Sequence, residues 1–432
     1  LDGTTVERLL VLGWGLTGRA VLGYASSQDV TCVVSDARWL DDAERGFLAG
    51  RSIEYEEAGH SDRFLRNVDA IVLSPGIAMD LPLLSSARAL GVPLFSELDV
   101  AFEAVHSTPI IGVTGTNGKS STVTLIGKLL EGIGVRAALV GNIGAPFVGA
   151  AGAADATSAF VVEASSFQLE QSVIFRPDVG VLLNLAPDHL GRHGSMHAYA
   201  AAKGRLFQHQ TPQDVAVLPR DLQSQFDQGD GRRVLYDDVR LPNDARRLPP
   251  HQRLNLQAAF AACRALDKGF DPTALPFERV LDALRLPFRM VDVGVVNGVR
   301  VINDSKATNP HATIAALQSI DGPIVLLLGG RHKGAGYRAL RDVIEAANVR
   351  HVVLFGEAGG RLAAELEDIS TGTEQTADLE AATATGLAAA RSGDTLLFSP
   401  ACSSYDVFRS FEERGEAFDR LIRSESLFRA PV

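Results

Sequence analysis

The sequence predicts an α/β protein of three domains, and three observations carry that prediction. The chain has 432 residues, and domains average about 150 residues. Short apolar runs recur along it, each followed by a loop rich in glycine and polar residues and then by a stretch with helical spacing. Two of those loops, at residues 13–18 and 115–121, have the composition of phosphate-binding turns. Such alternation builds mostly parallel sheets with ligand sites at the carboxyl ends of the strands. The expected domains are residues 1–97, 98–286 and 287–432.

In the first domain, Leu9 to Leu12 reads as a strand that runs into Gly13-Trp14-Gly15-Leu16-Thr17-Gly18, and Val30 to Ser35 is a second strand ending at Asp36. A G-x-G-x-x-G turn with an acidic residue about 20 positions on is the Rossmann-like fingerprint for a diphosphate at a helix N-terminus. It does not say which diphosphate, and a tight turn without a ligand is the simpler alternative. Ala70 to Leu73 runs into Ser74-Pro75-Gly76-Ile77 at the same sheet edge. Pro93 to Ser96 and a helix near Leu98 to Ala104 follow.

The second domain opens on the stretch that organises the chain. The apolar run Ile110 to Val113 leads into Gly115-Thr116-Asn117-Gly118-Lys119-Ser120-Ser121, and a helix follows from Ser120. Backbone N–H groups, a helix N-terminus and the Lys119 charge suit a triphosphate, and Ser120 suits its magnesium ion. The first glycine of the usual P-loop pattern, five residues before Gly118, is absent, and Val113 stands in its place. Val135 to Val140 then leads to Gly141-Asn142-Ile143-Gly144, and Phe160 to Glu163 precedes Ser165-Ser166. Glu163 at a strand end reads as a magnesium ligand or water-positioning acid, with a helix cap as the plain alternative. Val179 to Leu183 runs into a loop holding Asp188 and His189, where a second metal or phosphate contact would be needed.

Residues 196–208 read as a helix with Lys203 among alanines, either snorkelling to water or lying beside a metal. Residues 212–250 carry short strands, Val215 to Leu218 and Val234 to Tyr236, and no chemistry that can be named. A helix runs from His251 through Asn255 to Leu266. Pro272, Pro276 and Leu286-Pro287-Phe288-Arg289 mark a boundary.

The last domain is again Rossmann-like: strands at Val299 to Asn303, Ile324 to Leu328, Val352 to Phe355 and Thr395 to Phe398, with helices near Pro310 to Gln318 and ending at Asn348. Loops at the strand ends hold Asp304, Lys306 and Thr308, then Lys333, then Ser404. Each alone is ordinary loop polarity, but three together point to a site at one sheet edge.

Composition bounds the partners. Hydrophobic residues make up 46% and charged residues 22%, which is ordinary for a globular protein. A net charge of −11 repels polyanions, so neither nucleic acid nor an anionic membrane is an expected partner. Cys32, Cys263 and Cys402 have no metal-type spacing and fit a reducing compartment. No signal-type leader or apolar run of about 18 residues is read. A cytoplasmic monomer is expected.

Taken together, Thr114-Gly-Thr-Asn-Gly-Lys-Ser120, Gly141-Asn-Ile-Gly144, Glu163-x-Ser-Ser-Phe-Gln-Leu-Glu170, Pro187-Asp-His189, Asn303-Asp-Ser-Lys-Ala-Thr-Asn309 and Ser399-Pro-Ala-Cys-x-Ser404 with Phe411-Glu-Glu-Arg-Gly415 resemble the Mur ligases over essentially the whole chain. The last two motifs look like the D-glutamate-adding branch. Gln252, Phe288 and Arg331 depart from the family pattern.

The resemblance implies an ATP-dependent amide ligase of peptidoglycan precursor synthesis. It would join D-glutamate to UDP-N-acetylmuramoyl-L-alanine through an acyl phosphate, with ATP and two Mg²⁺ ions. By resemblance, Gly115, Thr116, Asn117, Gly118, Lys119, Ser120 and Ser121 cradle the phosphates, and Asn255, Arg289, Asp304 and Lys306 complete the nucleotide contacts. Ser120 and Glu163 would hold one Mg²⁺, and His189 with Lys203 as a carbamate the other; Lys119, Glu163, His189 and Lys203 are thus the catalytic set. Gly15, Leu16, Thr17, Asp36, Arg38, Ser74, Pro75 and Gly76 would hold the UDP part, and Asn142, Ser165 and His189 the rest of that acceptor. Thr308, Lys333, Ser404 and Phe411 would hold D-glutamate. The rival readings are a related amide ligase, a nicotinamide-dependent oxidoreductase built on residues 13–36, and a non-catalytic nucleotide switch.

Overall fold

The computed structural model describes residues 6–105, 107–152, 157–271, 277–334 and 336–431. Pro272 and Pro276, read above as boundary markers, lie outside the described residues. The strands form three sheets, and the α/β class stands. The chain divides into two compact units, one of residues up to 184 with 200–280, the other of 185–199 with 281 onward.

The first unit holds two parallel sheets. In one, the strands run in the order Glu54–Glu56, Thr31–Ser35, Arg8–Leu12, Ala70–Leu73, Leu94–Ser96. The central strand pairs in parallel with both neighbours, Leu12 opposite Ser35 on one side and Leu73 on the other. The order therefore reverses beside Arg8–Leu12, so the glycine turn after it opens into the crevice where such sheets bind ligands. The second sheet runs Arg232–Leu235, Val215–Leu218, Val179–Leu182, Ile110–Thr114, Ala159–Glu163, Ala137–Gly141, all parallel. Its central strands are buried throughout, which is why they read as unbroken apolar runs rather than alternating ones.

Two glycines in those central strands set the position of a helix. A Cβ on Gly112 would lie 2.9 Å from Leu206 Cδ1, and one on Gly180 would lie 2.9 Å from Phe207 Cε1. The helix Met196–Gln208 thus presses Leu206 and Phe207, both fully buried, onto bare backbone, each burial contributing roughly 1.5–3 kcal/mol. That close approach carries Lys203 into the interior.

The second unit holds a seven-stranded sheet in the order Gly372–Gln375, Val349–Phe355, Ile324–Gly329, Thr395–Ala401, Val299–Asn303, Val291–Val296, Phe428–Arg429. The last two strands are antiparallel additions at one edge. Apolar residues fill both faces: one cluster gathers around Leu326, Leu328, Leu340 and Ile344, the other around Val325, Leu327, Phe398 and Phe418. Inward residues alternate along Ile324–Gly329 between those two cores, as period-two geometry requires.

Candidate active site

The phosphate loop sits between the end of Ile110–Thr114 and the helix Lys119–Gly132. Gly118 takes φ +86° as the residue before that helix, a left-handed turn that glycine adopts without strain. A side chain there would also overlap the Asn255 carboxamide oxygen, so Asn255, buried on the helix Pro250–Leu266, lies directly against the loop. Asn184 braces the loop from the other side. Its carbonyl accepts from Thr116 N at 3.0 Å, its Oδ1 from Asn117 N at 2.9 Å, and its Nδ2 donates to Asn117 O at 3.0 Å. Tyr236 donates its hydroxyl to the neighbouring Leu183 carbonyl, so the 212–250 segment does reach this site.

Lys119 and Lys203 converge on one oxygen. Lys119 Nζ donates to the Gly115 and Thr116 carbonyls at 2.8 and 2.9 Å, and Lys203 Nζ donates to the same Gly115 carbonyl at 2.8 Å. Lys203 is 1% exposed, which corrects the snorkelling alternative: small neighbours let the helix in close instead of lifting the amine to water. Glu163, level with Val113 across the strand pair, is 2% exposed. Its Oε1 accepts from Asn142 Nδ2 at 2.8 Å, while its Oε2 is buried without a hydrogen-bond partner. The helix cap is supplied by Ser165, whose hydroxyl and N–H exchange bonds with Gln168. Ser120 and Ser121 are buried in the helix's first turn.

At the other glycine turn, the helix Leu16–Ser27 begins at Gly15 with no side-chain cap and no acidic residue in its first turn. Its first N–H groups and partial positive charge are therefore presented to an anion. Leu16 is exposed and Thr17 half-buried. Asp36 is turned to the protein: Oδ2 accepts from Trp14 N at 2.6 Å and Oδ1 from Arg38 N at 2.9 Å. Arg38 spans Glu44 with two bonds of 2.8 and 2.7 Å and donates to Trp14 O at 3.0 Å. The Arg38 hydrogen bonds hold the Glu44 carboxyl down at about 2. Ser74 donates to Gly13 O at 2.9 Å, tying the Ser74–Pro75–Gly76 loop to the turn. Asp36 and Arg38 thus shape the turn through its backbone.

In the second unit, Asp188 holds Lys333, one of the residues read for D-glutamate. Lys333 Nζ lies 3.0 Å from Asp188 Oδ1 and 3.5 Å from Thr308 Oγ1. Asn309 Nδ2 donates to Asp188 Oδ2 at 3.1 Å, and His189 N to Asp188 Oδ1 at 2.9 Å. His189 stands in the left-handed region at φ +53°. The Lys306 ammonium sits 4.7 Å over the Phe411 ring, so a nucleotide candidate and a D-glutamate candidate share one contact. Asp304 is buried, accepting from Ser399 Oγ at 2.8 Å and Met290 N at 3.2 Å. Burial pushes its carboxyl up to about 7, against the pull of Ser399 and Arg289.

Arg414 locks these loops together. It is fully buried, donating from Nε to Ser305 Oγ at 3.1 Å, from Nη2 to Ser305 O at 2.8 Å and from Nη1 to Cys402 O at 3.1 Å. A Cβ on Gly330 would lie 2.9 Å from its Nη1. All three strand-end loops, with Thr308, Lys333 and Ser404 on them, therefore meet at one guanidinium. Ser404 is itself buried. Of the departing residues, Phe288 lays its ring where a side chain on Gly415 would stand, and Arg331 pairs with Glu357 at 2.9 Å.

Comparison with known proteins places this geometry. A family model described as MurD N-terminal domain matches residues 8–81, one described as Mur ligase middle domain matches 113–233, and one described as Mur ligase, glutamate ligase domain matches 288–402. A Pelotomaculum thermopropionicum protein named UDP-N-acetylmuramoylalanine--D-glutamate ligase is 37% identical, covering 98% of this chain and 99% of its own. A Desulfotalea psychrophila protein of the same name is 37% identical over 95% of each. The chain belongs to the Mur ligase family. Solved structures share its fold at low identity: MurF ligase from Thermotoga maritima in complex with ADP (TM-score 0.57, 17% identical, 92% of this chain and 96% of that one), and a pseudomurein peptide ligase type C from Methanothermus fervidus (TM-score 0.56, 17% identical, 96% and 99%).

The donors around the phosphate loop of this Mur ligase suit a hard dication: a buried carboxylate with an unpartnered Oε2 at Glu163, and the Ser120 hydroxyl. Among the described residues no group of three or more His, Cys, Asp or Glu side chains gathers as a metal site. Among the described residues no helix is long and apolar enough to cross a membrane. Sequence reading assigned no role to Asn184, Gln168 or Arg414. Arg414 lay inside a quoted motif, and Asn184 follows a strand on the same edge as Glu163, so position was the available signal.

Proposed function

We propose that this Mur ligase joins D-glutamate to UDP-N-acetylmuramoyl-L-alanine at the expense of ATP. Its near-full-length similarity to relatives that bear that name carries the reading, and the phosphate-loop geometry supports it. In this reading residues 1–97 take the UDP-sugar, 98–286 the nucleotide phosphates and 287–432 the amino acid.

Lys119 and the backbone N–H groups from Gly115 to Ser120 bind the β- and γ-phosphates. The acceptor carboxylate attacks the γ-phosphorus, the bond to ADP breaks, and an acyl phosphate results. The D-glutamate amine attacks the acyl carbon and loses a proton, and phosphate leaves with the carbon–oxygen bond. Positioning and charge neutralisation dominate the first step. Glu163 and Ser120 would hold Mg²⁺, which when bound spreads the charge on the phosphates.

Lys203 is the candidate for carbamylation. Two ammonium groups on one carbonyl oxygen repel each other, and turning one into a carbamate converts that repulsion into attraction while adding oxygen donors of the kind magnesium prefers. Thr308, Lys333, Ser404 and Phe411 hold D-glutamate, with hydroxyl and ammonium groups suited to a dicarboxylate.

The test supplies ATP, Mg²⁺ and UDP-N-acetylmuramoyl-L-alanine and offers D-Glu, L-Glu, L-Lys and diaminopimelate separately. Phosphate release and a new amide with D-Glu alone are expected. Indifference to all four amino acids refutes the reading.

A further inference from the structure

The helix Ser166–Gln171 follows directly from the Glu163–Ser165 corner, and its last residue reaches into the first sheet of the same unit. Gln171 is 2% exposed. Its Nε2 donates to Ser74 O at 3.1 Å and to Ile77 O at 3.0 Å. Two carbonyl acceptors fix the amide orientation, since only the nitrogen end can donate to them. The opposite end, Oε1, is buried with no hydrogen-bond partner, which costs free energy. An apolar residue of similar length would avoid that cost but would remove the donor from both carbonyls, so the role of the glutamine lies in the loop it holds.

What Gln171 holds is the loop after Ala70–Leu73, and Ser74 in turn holds Gly13 O. A Cβ on Gly13 would lie 2.8 Å from Ser74 Cβ, so a shift of this loop moves the glycine turn. The helix itself is anchored: Gln168 Nε2 donates to Glu97 Oε1 at 2.9 Å, Ser172 Oγ to Asp99 Oδ1 at 2.7 Å, and Arg205 Nη1 to the Glu170 and Ser172 carbonyls at 2.8 Å each. One short rigid piece therefore carries the phosphate-side corner at its start and grips the diphosphate-side loop at its end.

We propose that Gln171 is a positioning residue for the UDP-sugar acceptor, fixing the Ser74–Ile77 loop and the Gly13 turn at a set distance from Glu163. The assignment rests on the reading of residues 13–76 as the UDP site. An acceptor that must reach from that turn to the γ-phosphate tolerates little error in the spacing, because misplacement of about 1 Å is enough to cost rate.

The experiment is steady-state kinetics of Gln171→Met with each substrate varied in turn, alongside thermal melting and direct titration with the UDP-sugar in the absence of ATP. The expected result is a KM and a dissociation constant for the acceptor raised about tenfold, the scale of one or two neutral hydrogen bonds. KM for ATP and for D-glutamate should stay within about twofold. Unchanged acceptor binding overturns the proposal, and so does a uniform loss across all three substrates that tracks a lowered melting temperature. If the Met variant does not fold, Gln171→Asn, which keeps the amide but is one methylene too short to reach both carbonyls, gives the same readout. A wild-type protein that neither ligates nor binds the UDP-sugar overturns the functional reading itself, and the assignment with it.

Discussion

Removing the Arg414 guanidinium should loosen the unit of this Mur ligase that is proposed to hold D-glutamate and leave the phosphate loop alone. Arg414→Met keeps most of the side-chain volume and deletes four hydrogen bonds, of 3.1, 2.8, 3.1 and 3.5 Å, to Ser305 Oγ, Ser305 O, Cys402 O and Gly329 O. The Ser305 hydroxyl already donates to Phe411 O and loses only an incoming donor. The Ser305 and Cys402 carbonyls, which take the two shorter bonds to backbone, lose this donor inside the protein, at about 1–3 kcal/mol each. Part of that loss is recovered, because burying the guanidinium is costly in itself: burial brings its pKa down to about 10. A net loss of about 3 kcal/mol is expected, a fall of roughly 6–12 °C in melting temperature for a unit of this size. Arg414→Lys keeps the charge without the fork and should lose about half as much. The assay is thermal melting together with KM for D-glutamate, which should rise in step as Thr308, Lys333 and Ser404 lose their common support. A Met variant with wild-type melting and wild-type KM for D-glutamate refutes the reasoning, as does one whose KM for ATP rises equally.

Lys203→Ala should reduce turnover nearly to zero while the protein stays folded; full activity in that variant rules out the carbamate. Lys333→Met removes the cation beside Asp188 and should raise KM for D-glutamate at least about tenfold while leaving KM for ATP unchanged, with both read from phosphate release. Glu97 is buried between Val148 N and Gln168 Nε2, and burial raises its carboxyl to about 7 from 4.5. The folded protein therefore keeps a proton that the unfolded chain gives up, so the stability due to this group is present below about pH 4.5 and lost as the pH rises through 7. Melting temperature should fall across that window in the wild type, and less steeply in Glu97→Gln; parallel slopes would contradict the assignment.

Much of this was legible in the chain because it depends on local spacing. Strand–glycine–helix successions at 9–27 and 110–132 announced both turns, and unbroken apolar runs marked the buried parallel strands. What stayed hidden depends on partners distant in sequence. Lys203 reads equally as a lysine reaching water or one beside a metal, because nothing local reveals that Gly112 and Gly180 let its helix settle onto bare backbone. Both oxygens of Asp36 accept from backbone N–H groups, Trp14 N and Arg38 N, a partnership its position after a strand does not reveal. The antiparallel edge strands at Val291–Val296 and Phe428–Arg429 were missed for the same reason, since pairing is set by the turn and the neighbour rather than by either segment's own composition. The Asp188 cluster joins residues up to 145 positions apart, beyond the reach of any pattern read along the chain.

The three bonds that Asn184 makes to Thr116 and Asn117 have a kinetic consequence. They fix the curvature of the loop during folding, so the entropy of ordering it is not charged again to each nucleotide that arrives. In the proposed function, a loop already in shape captures phosphate on encounter. Differences in affinity between ATP and its analogues should then appear chiefly in how fast they leave rather than how fast they bind.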